Sequence, residues 1–188
     1  MIDWESWFEK GLGYQAFLDK YADPQRDKPR WRQVYEQIRL SDGQRQLLAG
    51  FTRGMNVLCV AGAWCGDCVE QGPILARIAE AAGGKVDLRF LDRDDNPDVQ
   101  DELSICGGKR VPVAVFLSED FYECARFGDR TLSAYRQMAR QRVGAACSVG
   151  AVRDEHLHAA EVQEWLDQFE RVQLMLRLSP RLRQKHGD

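Results

Sequence analysis

The 188-residue chain has no apolar run long enough to cross a bilayer, no excess of either charge, and no repeated or low-complexity segment. Each absence closes a class. Without some twenty consecutive apolar residues there is no membrane-spanning helix to expect. With 26 Lys and Arg against 29 Asp and Glu, the formal net charge is −3, too small to argue for nucleic acid or an anionic membrane as partner. The opening "MIDWESWFEKGLGYQ" carries early acids and no apolar core with basic flanks, unlike a secretory leader. The expectation is a cytoplasmic protein. What is present, 44% hydrophobic and 29% charged residues, suits an ordinary globular fold: one well-buried domain with additions.

Cysteine is the informative residue. Six occur, at 59, 65, 68, 106, 124 and 147, and only Cys65 and Cys68 form a close pair. In a reducing compartment a framework of structural disulfides is not expected. A zinc ribbon needs a second close pair, which is missing. A lone Cys-x-x-Cys in an α/β pattern reads first as redox-active.

Periodicity organises the rest. Residues 1–52 read as helical: Trp4, Trp7, Phe8, Leu12, Tyr14, Phe17, Leu18 and Tyr21 recur at intervals near three and four. "DPQRDKPR" (23–30) breaks the run with two prolines, a second helix covers Trp31 to Ile38, and Ser41 caps a short one ending near Gly50. At Met55 the pattern changes. "MNVLCVAGA" reads as a buried strand, and Ile74, Leu75, Ile78 and Ala82 mark a helix face that stops at Gly83-Gly84. "KVDLRFLD" (85–92) is a second strand, and 96–105 a helix with Asn96 as cap and Pro97 at its first position. "VPVAVFL" (111–117) and "FYECARFG" (121–128) form a hairpin, and 130–143 is helical. Residues 144–153 are loop-like. The stripe Leu157, Val162, Trp165, Leu166, Phe169, Val172, Leu176 predicts a docked C-terminal helix, too short for a coiled coil, with a basic tail fraying after Pro180. The strand–helix–strand–helix–strand–strand–helix order predicts a mixed α/β sheet of about four strands flanked by helices. The expected division is a helical extension over 1–54, a core over 55–143, and a loop with C-terminal helix over 144–188.

A strand feeding a helix through "WCGDC" puts Cys65 at the helix N-terminus, where unpaired N–H groups and the helix dipole favour a thiolate. Cys68 lies about one turn on, on the same face, placed to attack a mixed disulfide at Cys65. Gly66 leaves the sulfur uncovered, and Trp64 offers a flat apolar surface beside it. "AWCGDC" after an apolar strand resembles the active-site motif of the thioredoxin superfamily, most often Trp-Cys-Gly-Pro-Cys. Pro73, five residues after the second cysteine, stands where thioredoxins carry the proline of the active-site helix. "RVPVAVF" (110–116) resembles their cis-proline segment, which implies a cis Val111-Pro112 bond opposite the cysteines. Gly128 stands where thioredoxins have a glycine near the site. The pattern covers 55–143, and "GLGYQAFLDKY" ahead of it is similar to a bacterial thioredoxin-like subgroup with a helical N-terminal extension. The resemblance implies a thioredoxin fold with helical extensions at both ends.

Two residues depart from that pattern. Asp67 replaces the proline, and a carboxylate beside Cys65 opposes thiolate formation, although it suits a helix's first turn. Equally, Asp67 is a solvated residue that shapes partner choice. Cys59 stands where thioredoxins commonly carry a buried Asp that deprotonates the second cysteine. It reads as a small buried apolar residue or, more sharply, as an auxiliary thiol able to pair with Cys68. Cys106 reads as a half-buried helix-end residue, while Cys124 and Cys147 carry no pairing signal. His156 and His158 diverge on a helix and make a poor metal pair. The acidic "DRDDNPD" (92–98) lacks the Gly and Glu of a calcium loop.

The resemblance implies a thiol–disulfide oxidoreductase that needs no cofactor and no metal. Cys65 and Cys68 form the redox-active disulfide, and Trp64, Gly66, Asp67, Val111 and Pro112 bind the substrate. Substrates are disulfide-containing proteins or small thiols, with electrons from an NADPH-dependent reductase or a small thiol, and with neither nucleic acid nor membrane as partner. The alternative is a thioredoxin-like sensor or binding module whose terminal helices cover the groove. A third arrangement, metal held by Cys65 and Cys68 with Cys59 or Cys106, lacks a signature for its remaining ligands.

Overall fold

The computed structural model describes residues 2–143 and 156–187. The expected loop over 144–153, with Cys147, falls outside them.

Four strands form one sheet: β1 (Met55–Ala61), β2 (Val86–Asp92), β3 (Val113–Ser118) and β4 (Glu123–Gly128), in the order β2-β1-β3-β4. β1 pairs parallel with β2 and antiparallel with β3, and β3 pairs antiparallel with β4. The central position of β1 explains its composition: almost every residue is buried, so it reads as a continuous apolar run rather than an alternation. Cys59 sits in its middle, between Phe90 and Ala114.

Four helices precede the sheet: α1 (Trp4–Lys10), α2 (Tyr14–Tyr21), α3 (Asp27–Gln37) and α4 (Asp42–Ala49). The aromatic stripe is not continuous, as periodicity alone suggests. Between α1 and α2 the chain extends, and Leu12 exchanges backbone hydrogen bonds with Phe90, 2.9 Å from the Leu12 N–H and 2.7 Å to its carbonyl. This bridge covers the outer edge of β2, which is otherwise open to stray pairing. Gly11 permits the approach, because a Cβ there would lie 2.7 Å from Arg89 Cβ. Nor does "DPQRDKPR" end in a break. α3 starts at Asp27 with Pro29 in its first turn, where no N–H needs an intrahelical partner. Ser41 caps α4 as expected, in a reciprocal capping box with Gln44.

Trp31 of α3 ties this region to the core. It is fully buried, donates from Nε1 to the Ala63 carbonyl at 2.8 Å, and packs so tightly on α5 (Gly66–Ala81) that a Cβ at Gly72 would lie 2.2 Å from its ring. After β2 come α6 (Pro97–Glu102), shorter than the expected 96–105, and, beyond the hairpin, α7 (Leu132–Val143). α8 (Leu157–Leu178) docks as its apolar stripe predicts. Trp165 donates to Gln71 Oε1 at 3.0 Å and stands edge-on to Phe127, and Phe169 stands edge-on to Phe116. Among the described residues no helix is long and apolar enough to cross a membrane.

The tail differs from expectation. Instead of fraying, residues after Ser179 form α9 (Pro180–His186). Pro180 opens this helix, Ser179 caps it, and Leu182 is buried. The basic residues have an acidic destination: Arg181 binds Asp120 and His186 meets Glu119, both in the β3–β4 turn.

Candidate active site

β1 ends at Ala61, and four residues later Cys65 occupies the N-cap of α5 with extended backbone (φ −77°, ψ 127°). That geometry aims the free N–H groups of the first turn at its sulfur. The Cys65 thiol is pushed down to about 6, first by a hydrogen bond from the Cys68 thiol and then by the backbone N–H groups of Cys68 and Asp67. Partial burial and the Asp67 carboxylate push the other way, the carboxylate least of all. Cys68 is fully buried and moves well above the ordinary thiol range, because burial disfavours its charge and its proton is held towards Cys65. The Gly62 N–H reaches Cys68 Sγ at 3.4 Å. Of the two thiols, Cys65 is thus the more acidic and Cys68 the less.

The other wall is the turn before β3. Val111-Pro112 is cis, and the Val111 carbonyl lies 3.7 Å from Cys65 Sγ. Gly128 packs behind it, where a Cβ would come 2.4 Å from the Pro112 carbonyl oxygen, so no larger residue fits. Trp64 is 46% exposed at the rim, with Nε1 3.3 Å from Asp94 and the Arg93 guanidinium over its ring. Gly66 is not required by space, since an added Cβ meets nothing nearer than Arg30 at 3.8 Å. The resulting groove, about 590 Å³, opens at Cys65 between Trp64, Val111 and Tyr135. None of its lining comes from residues 2–52 or 156–187.

Asp67 is not simply solvated. Arg130, from the segment between β4 and α7, binds it through both carboxylate oxygens, the Nε contact being 2.8 Å. Arg130 also pairs with the buried Asp129 at 3.1 Å, and Asp129 holds Arg110 at 3.2 Å and accepts from Tyr135. Sequence reasoning passed over this network. Its one sequence signal is adjacency: Asp129 and Arg130 directly follow Gly128, the glycine against the cis-proline.

Cys59 is fully buried and its thiol is pushed up by burial alone, so it is no base, though near enough to add to the upward push on Cys68. Cys106 is not half-buried at a helix end: it is exposed, beyond α6, in the left-handed region (φ 52°). Cys124 is half-buried in β4. All five described cysteines are free thiols. In the acidic loop Asp92 turns inward and accepts from the N–H groups of Asp94 and Asp95 at 2.9 and 3.1 Å, which is a turn, not an ion cradle. Among the described residues no group of three or more His, Cys, Asp and Glu is placed to hold a metal.

Comparison with known proteins places the chain in a family and identifies its fold. A family model described as thioredoxin matches residues 11–142, reaching well upstream of the 55–143 covered by the sequence pattern. Thioredoxin from Alicyclobacillus acidocaldarius is 40% identical over 43 residues, 23% of this chain and 41% of that protein, so the chain spans about two fifths of that relative's length. A solved Pseudomonas aeruginosa protein of unknown function aligns over 92% of this chain and 99% of its own, with TM-score 0.69 at 18% identity. An HIV epitope-scaffold aligns over 90% and 98%, with TM-score 0.68 at 17% identity. At such identities these two share the fold.

Proposed function

The chain belongs to the thioredoxin family, and from that premise we propose that it is a thiol–disulfide oxidoreductase in which Cys65 attacks and Cys68 resolves. The Cys65 thiolate displaces one sulfur of a substrate disulfide, forming a mixed disulfide and releasing a thiolate. Cys68 then attacks Cys65 Sγ. The Cys65–Cys68 bond forms, the second substrate sulfur leaves, and the Cys68 proton passes to the departing thiolates or water. Two electrons have moved from the dithiol to the substrate. Cys59, neutral and buried, takes no part in the proton transfer. Trp64, Gly66, Asp67, Val111 and Pro112 form the face on which the disulfide lies.

The observation that carries this reading is the placement of Cys65 at the N-cap of α5, in an open groove facing the cis Val111-Pro112 turn, with Cys68 buried one turn behind it. A binding module with a covered site fits less well, since the described parts of the terminal segments leave the groove free. In a reducing compartment such as the cytoplasm the working direction is reduction. Electrons come from an NADPH-dependent reductase or a small thiol, and the substrates are protein or small-molecule disulfides. The test is a redox titration of the pair, followed by dithiol-driven insulin reduction with wild type and Cys65→Ser. A reversible two-electron couple with turnover lost in the variant is expected. A couple that forms without turnover would instead make the protein a sensor or binding module.

A further inference from the structure

We infer that the groove at Cys65 selects low-molecular-weight disulfides carrying an anionic group on each side of the S–S bond, such as a disulfide of two carboxylate-bearing thiols. The inference rests on the exchange reading above and adds the substrate class to it. Five cations line the groove, Arg93, Lys109, Arg110, Arg130 and Arg142, against two carboxylates, Asp67 and Asp129, in a chain whose overall charge is −3. They come from three regions of the chain and flank the sulfur. Arg93 stacks on Trp64, immediately before Cys65, while Arg130 grips Asp67, two residues after it. A ligand whose disulfide lies at the sulfur therefore shares its groove with cations held at Trp64 and at Asp67.

The carboxylates do not cancel this field. Asp129 is shared between Arg110 and Arg130, and Asp67 also takes Arg130. Counting the pairs made outside the lining, Arg93 with Asp94 and Lys109 with Asp101, five cations face four acids; Arg142 makes none of these pairs, though it also borders Glu70 and the buried Glu161 in the adjoining cavity. The Lys109–Asp101 pair is exposed and Arg93 is half-buried beside an exposed Asp94, and pairs so open to water hold their partners weakly. An incoming carboxylate can replace them at little cost. The Arg forks suit planar carboxylates in particular. At about 590 Å³ the groove is of small-ligand size. Exchange proceeds as already written, with the reduced protein supplying both electrons and the two anionic thiolates leaving.

The test is single-turnover reaction of the reduced, full-length protein with three disulfides: dianionic dithiobis-nitrobenzoate, neutral dipyridyl disulfide and dicationic cystamine. Each rate is divided by that of free dithiothreitol to remove intrinsic reactivity. The expected result is a normalised preference for the dianion of about tenfold or more at low salt, as electrostatic focusing gives, shrinking as ionic strength rises. The double variant Lys109→Glu/Arg142→Glu, at two exposed positions, is expected to lose most of that preference and to gain on cystamine. Equal normalised rates in wild type, or a preference untouched by the double variant, would overturn the inference and leave the exchange reading standing. A disulfide peptide flanked by glutamates is run as a fourth substrate, and a preference for it that the small dianion does not share would overturn the low-molecular-weight assignment. Failure of all three disulfides would remove the exchange reading and this inference with it.

Discussion

A carboxylate two residues from a reactive thiolate ought to raise its pKa, yet Cys65 is pushed down to about 6 with Asp67 in place. The Cys68 thiol and then the first-turn N–H groups outweigh the carboxylate, which is the smallest influence on Cys65, and Arg130 holds that carboxylate through both oxygens. Charge set against charge leaves the helix N–H groups and the Cys68 thiol to decide. Arg130→Met is expected to raise the Cys65 pKa by roughly one unit, the lower end of what a nearby unpaired charge does. Asp67→Asn should lower it slightly, and the double variant should return near wild type. Thiolate absorbance against pH measures all four proteins, and an unmoved inflection in Arg130→Met would sink the argument. The same titration gives the pH dependence. Since the thiolate is the attacking form, the rate with a small disulfide should climb through pH about 6 and be nearly flat above 7, well below the ordinary thiol range near 8.5. Cys65, Cys68 and Pro112 were legible because short spacing carried them. Arg130 was not, because it lies 63 residues from Asp67 in sequence and only the fold joins them.

At the scale of elements, helices announced themselves where one face is apolar and failed to where their meaning is tertiary. α8 was readable from its stripe, and α4 from its cap. Leu12 sits at helical spacing with its neighbours yet forms a β-bridge, since two flanking glycines and a free strand edge outweigh periodicity. α8 also carries a buried acid that no spacing marks. Glu161 is 5% exposed, accepts from Thr131 Oγ1 at 3.2 Å, and is pushed up to about 7, first by burial and then by Glu70, Glu164 and Asp67. Its folded pKa lies above its unfolded value near 4.3, so the folded state holds the extra proton. Stability is then full below the unfolded pKa and is lost as pH rises through about 7. Glu161→Gln keeps the acceptor and removes the charge. The variant should match wild type in stability near pH 4 and exceed it at pH 8, by an increment on the order of 3–4 kcal/mol, read as a raised Tm. Equal melting temperatures at both pH values would show that Glu161 ionises in the fold without cost.

At the scale of the whole molecule, the ends of the chain are built into the core. Trp4, Phe17 and Trp31 from one end and Trp165, Phe169 and Leu182 from the other share one buried cluster with the sheet. The tail reads from sequence as fraying because it is basic and follows a proline. What composition could not supply was the acidic turn it meets, Glu119 and Asp120, where Arg181 holds the Asp120 carboxyl well below its usual range. This contact sits beyond the far end of β3 from Pro112. A strand of six residues spans roughly 20 Å. Tail and thiol pair should therefore be energetically separable. Leu182→Ala empties a buried site and is expected to cost about 2 kcal/mol, at the low end for a core leucine because a terminal helix can settle. For a chain of this size that corresponds to roughly 4–8 °C in Tm. Arg181→Ala, removing a solvent-screened ion pair, should cost clearly less than Leu182→Ala. In both variants the Cys65 inflection near pH 6 should stay where it is, read by the same thiolate titration. A shifted inflection in Leu182→Ala would mean that the tail's seat on the β3–β4 turn is transmitted along β3 to the cis-proline, and that the C-terminal helices belong to the redox site after all.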